Sequence, residues 1–366
     1  MIVQSFRMEF LIYLIGIFSI AVFSTNASSC PTRSNVITFD DIKHSARASR
    51  EVYKDDKAVI GATIRKTPYK IVRVFEEELF EKGEGIRVAI ADHGNTRMII
   101  FRGTDGLTQL LREGASVLKG QHEINYGQNR VQVLKFFWSA FELVYRYTLP
   151  YIQDPKRKYI ITGHSLGGAL ASMMAIKGAV YHKSLLANPQ SSLITFGQPR
   201  VGDAAYAKLH DQMVPTYRKI RVVFMSDPVT KLPPYVAGYR HHSRAVYLGR
   251  GLFSFWGKKR SLVEQEIQDE IADPDFEDNV DSADNGYIEP RSKRFFFPKN
   301  YYMQVCEKGE AKSCVVHLNS IAPNLLHHAM LFYSNALESS SLKFWTIKSE
   351  RKSSWEDAFI ASCHGE

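Results

Sequence analysis

Apolar residues in this chain fall into short runs separated by polar turns, and the period of the pattern changes from run to run. Arg87-Val88-Ala89-Ile90-Ala91 and Arg97-Met98-Ile99-Ile100-Phe101 are near-continuous apolar runs of strand length, joined by the turn sequence Asp92-His93-Gly94-Asn95. Lys158-Tyr159-Ile160-Ile161-Thr162, residues 192–196 and residues 220–225 read the same way. Between them, residues 132–147 carry a helical pattern ended by Pro150, and residues 169–181, rich in Ala and Met, predict a buried helix. Residues 107–118 place Leu107, Leu110, Leu111 and Val117 at the spacing of a short amphipathic helix. Residues 40–58 read as a largely polar surface helix. Strands alternating with helices predict an α/β fold, a mainly parallel central sheet with helices on both faces.

Two stretches depart from this pattern. Near the N-terminus, Arg7 precedes an apolar run over residues 10–23, about 14 residues, which suits a signal peptide and falls short of the ~20 needed to span a bilayer. Thr25 and Ala27 then fit a small-residue cleavage site, so residues 1–27 are expected to be a signal peptide and the protein to be secreted. A lipoprotein signal ending at Cys30 and an uncleaved signal anchor are the competing readings. Further on, residues 252–298 form a charged insertion, in which Asp and Glu are concentrated over 264–284 between basic clusters. The remainder, residues 28–366, reads as one domain.

Composition narrows the function classes. The 366 residues are 45% hydrophobic, enough apolar material for a sizeable core. The net charge of +9 suits nucleic acid or an anionic lipid surface, but no basic stretch interleaved with aromatics and no nucleic-acid motif is present. The acidic stretch lacks the spacing of a calcium loop, and no CxxC pair suggests zinc, so neither metal nor cofactor is implied. The four cysteines, Cys30, Cys306, Cys314 and Cys363, are an even set that allows two disulfides in three connectivities. Cys306 and Cys314 bracket a short polar loop, which would leave Cys30 to join Cys363.

The candidate chemistry lies where the strand at 158–162 runs into Gly163-His164-Ser165-Leu166-Gly167-Gly168. A serine hydroxyl needs a sharp exposed turn, a base and an oxyanion site to act as a nucleophile. Gly-x-Ser-x-Gly between strand and helix meets the first demand, because only small neighbours fit beside the turn. His164, adjacent to Ser165, should point away and support the turn. The triad order Ser, Asp, His favours Asp227, which follows the strand at 220–225, over Asp203 and Asp211. On position alone, His241, His242, His317, His327 and His328 all qualify as the base.

Four blocks in order resemble the class 3 lipase family, the fungal triacylglycerol lipase type. They are Phe101-Arg102-Gly103-Thr104, the elbow itself, Thr195-Phe196-Gly197-Gln198-Pro199-Arg200-Val201-Gly202-Asp203, and Asp227-Pro228-Val229-Thr230-Lys231-Leu232-Pro233-Pro234. The resemblance implies an α/β-hydrolase fold and a lipase-like carboxylic ester hydrolase. Ser165 would be the nucleophile and Asp227 the acid. Thr104 and Leu166 would supply the oxyanion hole. His328 takes the base position, with His327 where the family has an aspartate, and His241 resembles a structural histidine. Residues 107–118 would be a lid, and both disulfides would mirror those of fungal members. The substrate would be a lipid or other ester at a lipid–water interface, reached through peripheral membrane contact. A phospholipase A1, a feruloyl-type esterase and a non-catalytic lipid-binding homologue are the alternatives; the last would be expected to lack a triad member, and all three have candidates. The family's Val-His-x-Gly-Phe pattern is replaced here by Val133-Leu134-Lys135-Phe136-Phe137, and the acidic insertion is longer than the fungal pattern. Both departures bear on substrate choice.

Overall fold

The computed structural model describes residues 30–53, 61–78, 85–103, 120–250, 301–306, 328, 330–340, 342–345 and 351–363. The N-terminal run, the helix at 107–118, the insertion at 252–298, Thr104, Cys314, His317 and His327 lie outside them. The elements below belong to the compact unit Pro31–Glu366.

Helix α1 (Phe39–Glu51) starts at a capping box. The Thr38 hydroxyl accepts from the Asp41 N–H at 3.1 Å, and the Asp41 carboxylate accepts from the Thr38 N–H at 3.3 Å. The helix is not a surface helix. Its inner face buries Ile42 together with Ser45, Ala46, Ala48 and Ser49, small residues that let it lie close to the sheet. The Ser49 hydroxyl meets that of Thr162 at 3.2 Å, and Lys158 Nζ reaches the Asp41 carboxylate at 2.8 Å. Polarity misleads here because these polar groups find partners inside.

Strands β1 (Lys70–Glu78), β2 (Gly85–His93) and β3 (Thr96–Phe101) form an antiparallel meander, with the β2–β3 turn at Gly94 in a left-handed conformation. β4 (Gln121–Tyr126) and β5 (Asn129–Leu134) form a hairpin, and α2 (Lys135–Thr148) follows at once. Residues 132–134, which read as helix in the sequence, are therefore strand. Val131 and Val133 alternate inward on β5, and their apolar signal merges with that of the helix.

The chain continues through β6 (Lys158–His164), α3 (Leu166–Tyr181), β7 (Ser192–Phe196), β8 (Gly202–Asp203), α4 (Ala204–Met213) and β9 (Lys219–Phe224). β10 (Tyr239–Arg240), β11 (Ala245–Arg250), β12 (Tyr301–Cys306), α5 (Met330–Leu337), β13 (Lys343–Trp345), β14 (Arg351–Lys352) and α6 (Trp355–Cys363) complete it. The main sheet runs β1-β2-β3-β6-β7-β9-β11-β12-β13-β14, and β8, β10, β4 and β5 make a separate small sheet. From β3 through β6, β7 and β9 to β11 every pairing is parallel.

The central strands are buried on both faces, which is why they read as continuous apolar runs. Met98 and Ile100 of β3 join one core together with Tyr333 and Trp355, while Ile99 and Phe101 join the other with Leu170 and Phe141. This is the α/β-hydrolase arrangement expected from the sequence. Cys30, Cys306 and Cys363 are all disulfide-bonded, Cys30 to Cys363.

Trp355 opens α6, is fully buried, and donates its indole N–H to the carbonyl of Ile37 at 2.8 Å. Replacing it with Ala removes the ring and leaves that carbonyl unpaired. A loss of ~3–5 kcal/mol is expected in denaturant unfolding; an unchanged midpoint would contradict this packing.

Candidate active site

Ser165 sits between β6 and α3 with φ +59° and ψ −128°, a conformation that a non-glycine residue adopts only under constraint. Its neighbours supply that constraint. The Ser165 N–H donates to the Phe196 carbonyl at the end of β7 at 2.9 Å, and the Ser165 carbonyl accepts from Gly168 N–H at 3.0 Å as the helix begins. A Cβ on Gly163 would overlap the Gly167 carbonyl, and one on Gly167 would overlap the Phe101 carbonyl. The three segments 101–103, 163–167 and 196–197 thus approach at backbone distance. Arg102 fixes the end of β3 by donating to the Gly85 carbonyl at 2.6 Å and to Glu76 at 3.0 Å, which sets Gly103 beside the serine.

Asp227 follows β9 and is fully buried. Its carboxylate lies 2.9 and 3.0 Å from His328 Nδ1, accepts the Val229 N–H at 2.9 Å, and accepts the Tyr333 hydroxyl at 2.6 Å. An ionised carboxylate only accepts, so Nδ1 of His328 carries the proton and Nε2 presents a lone pair. His328 Nε2 and Ser165 Oγ are both buried, and neither has a hydrogen-bond partner among the described residues. Gly197, at φ +55°, permits the pair to form: a Cβ there would stand 2.8 Å from Asp227 Oδ2 and 2.9 Å from His328 Nδ1.

His164 turns away from the hydroxyl, as expected. Its Nδ1 meets the Tyr53 hydroxyl at 2.9 Å and its Nε2 donates to the His328 carbonyl at 2.6 Å. Its ring lies against the His328 ring, centroids 4.5 Å apart and tilted by 30°, so it also steadies the second histidine. Burial holds its pKa well below the ordinary histidine value, with the His328 charge adding to the effect.

The competing acids Asp203 and Asp211 and the described histidines His241 and His242 are committed elsewhere. Asp203 caps α4 by accepting the Tyr206 N–H at 2.7 Å. Asp211 accepts from the buried Lys219 ammonium at 2.6 Å, and that ammonium also donates to His210 Nδ1 and the His210 carbonyl. Burial brings the Lys219 pKa down to about 8. His210, Asp211 and His242 bring metal-capable atoms within 4.8 Å of one another, but the lysine occupies the position a cation would take. His241 Nε2 donates to the Thr230 carbonyl at 2.7 Å, consistent with a structural role.

Leu166 is the first residue of α3, where a backbone N–H has no acceptor within its own helix. The helix dipole adds positive potential beside Ser165. Tyr333, Tyr53 and Gly197 are the contributors that sequence reasoning missed. Gly197 stood in a recognised block without an assigned role, while Tyr53 and Tyr333 carried no local signal.

Ser165 thus stands on a strained turn, its neighbour His164 lies against the His328 ring, and His328 is held by a buried carboxylate. Residues 98–237 match the family described as Lipase (class 3). This region is similar to class 3 lipases. A lipase of Caenorhabditis elegans is 35% identical over 149 residues, covering 40% of each chain. The secreted mono- and diacylglycerol lipase 1 of Fusarium solani is 41% identical over 98 residues, 27% of each chain. The lipase of Rhizomucor miehei is 30% identical over 192 residues, 49% of this chain and 48% of its own. The chain spans less than half the length of each of these relatives. The lipase-family region includes Ser165, Asp227 and Gly197, while His328 and Tyr333 lie beyond it.

Two outcomes follow from this packing. Gly167→Ala should fail to fold or lose ~3 kcal/mol or more, because the methyl meets a backbone carbonyl that cannot yield; a normally stable variant would contradict the close approach. His164, His210, His241 and His242 all have pKa values lowered well below normal, by burial first. The unfolded chain therefore binds more protons than the folded one below about pH 6.5, so stability is full above that value and falls as pH drops through it, by about 1.4 kcal/mol per pH unit for each histidine. Urea midpoints that stay level between about pH 7.5 and about pH 5.5 would contradict this.

Proposed function

We propose that this chain is a secreted serine esterase that hydrolyses the carboxylic ester bonds of acylglycerol lipids through an acyl-enzyme on Ser165. One observation carries the reading: Ser165 Oγ and His328 Nε2 are buried and unpartnered while His328 Nδ1 is fixed on Asp227. Such catalytic contacts are often long before substrate binds.

In this mechanism, Ser165 Oγ attacks the ester carbonyl carbon as His328 Nε2 takes its proton. Asp227 holds the imidazole in the correct tautomer and stabilises the imidazolium. The N–H of Leu166 receives the oxyanion together with Thr104, which lies outside the described residues. Collapse of the tetrahedral adduct breaks the C–O bond, and His328 returns the proton to the leaving glycerol oxygen. Water, deprotonated by the same Nε2, then releases the acid. Tyr333 is a positioning residue: its hydroxyl also accepts the Phe224 N–H at 3.1 Å, so it ties the Asp227 carboxylate to the end of β9.

The acylglycerol assignment draws on the relative named a secreted mono- and diacylglycerol lipase. Secretion draws on the apolar N-terminal run, the disulfide-bonded cysteines and the Fusarium solani relative named as secreted. No helix among the described residues is long and apolar enough to cross a membrane. In this reading, residues 28–366 are one hydrolase domain behind a signal peptide.

Ser165→Ala should abolish turnover of a short-chain aryl ester and of a diacylglycerol emulsion alike; retained turnover on either would sink the mechanism. His328→Ala should do the same and His327→Ala should not. Tyr333→Phe should lower kcat about tenfold with little change in KM, because one donor to the charged carboxylate is lost. An unchanged kcat would remove Tyr333 from the positioning network.

A further inference from the structure

Among the described residues, large apolar side chains are exposed at Tyr181, Tyr235 and Val236. Two of these are consecutive. Val236 is 94% exposed and Tyr235 50%, on the short helical turn Tyr235–Ala237. The five residues 234–238, Pro-Tyr-Val-Ala-Gly, are all exposed and none is charged.

The turn rises from a well-braced base. The Arg200 backbone N–H donates to the Leu232 carbonyl at 2.7 Å, and its guanidinium donates to the carbonyls of Lys231 and Pro233, the latter at 3.1 Å. The Gly238 N–H closes the turn on the Tyr235 carbonyl at 3.1 Å. A side chain carried at the tip of a braced turn gains nothing from the fold, so its exposure calls for an external partner.

The charge beside the tip says which. The Arg240 guanidinium lies 3.3 Å over the Tyr235 ring and donates to the Tyr235 and Tyr239 carbonyls, both at 2.8 Å. It has no carboxylate partner among the described residues. The acid across the β8–β10 pairing, Asp203, sits opposite Tyr239 and is committed to capping α4. A fixed cation therefore sits at the foot of a small apolar knob, on a chain of net charge +9. Three residues are too small a patch for a stable protein interface, which buries roughly 800 Å² per partner. They suit a lipid surface, where apolar tips enter the acyl boundary and arginine stays at head-group level.

The geometry points to the turn Tyr235–Ala237, with Arg240, as a fixed docking element for a lipid surface bearing anionic head groups. It deepens the acylglycerol reading on which it rests, because the same loop begins at Asp227.

The test uses the Ser165→Ala chain, so that binding is read without hydrolysis and stands or falls apart from the catalytic reading. Sedimentation with phosphatidylcholine vesicles, with and without phosphatidylglycerol, should show tighter binding to the anionic vesicles. Adding Val236→Ser should weaken binding to both about tenfold. Adding Arg240→Gln should weaken binding to the anionic vesicles about fivefold and leave the neutral ones unaffected. The melting temperature of the Val236→Ser chain should match the parent, since that side chain is exposed. Parent-like binding by Val236→Ser, or equal parent affinity for the two vesicle types, would overturn the proposal.

Discussion

The site depends on one constraint, the close approach of three backbone segments at the carboxyl edge of the parallel strands. Phe101 at the end of β3, the turn through Gly163 and Gly167, and Phe196-Gly197 at the end of β7 meet where no Cβ fits on the glycines. That contact forces Ser165 to positive φ and lifts its hydroxyl away from its own helix. It also opens the space beside Gly197 into which Asp227 and His328 fit. The strain at Ser165 is sustained by packing around it, including the hydrogen bond from its N–H to Phe196.

Around this contact the polar groups are ordered in layers. Asp227 is held by Val229 N–H and Tyr333, His328 is held by Asp227, and the His328 carbonyl is held by His164, itself met by Tyr53. Tyr53 follows α1 and Tyr333 lies on α5, so two helices that pack against each other on one face of the sheet position the same imidazole from both ends. A mobile histidine would lose the orientation that general-base chemistry requires. The burial that orders these groups also keeps His164 neutral, which lets it donate from one ring nitrogen and accept at the other.

The sequence made some of this legible and hid the rest for physical reasons. The elbow was legible because glycine spacing, a strand before it and a helix after it all report the same turn. The central strands were legible because burial on both faces leaves uninterrupted apolar runs. Asp227 was legible from its place after β9. The hairpin β4–β5 was not, because Gln121-His122-Glu123-Ile124-Asn125-Tyr126 lies half in solvent and shows no apolar period. Helix α1 was misjudged because Ser49 and Asp41 are polar yet buried against partners far away in sequence. Tyr333 had no signal, since its function arises only where α5 docks against β9. Lys219 opened a strand that also carries Arg221, and its partner Asp211 looked like a surface acid until the fold joined them.

The central claim is that Ser165 is the activated nucleophile of this chain. The direct measurement is reaction of the full chain with a fluorophosphonate, followed by mass spectrometry of its peptides. A single adduct on Ser165, whose formation slows markedly in His328→Ala and in Asp227→Asn, is the predicted result. An adduct on another residue, or labelling of Ser165 at the same rate in both variants, would contradict it.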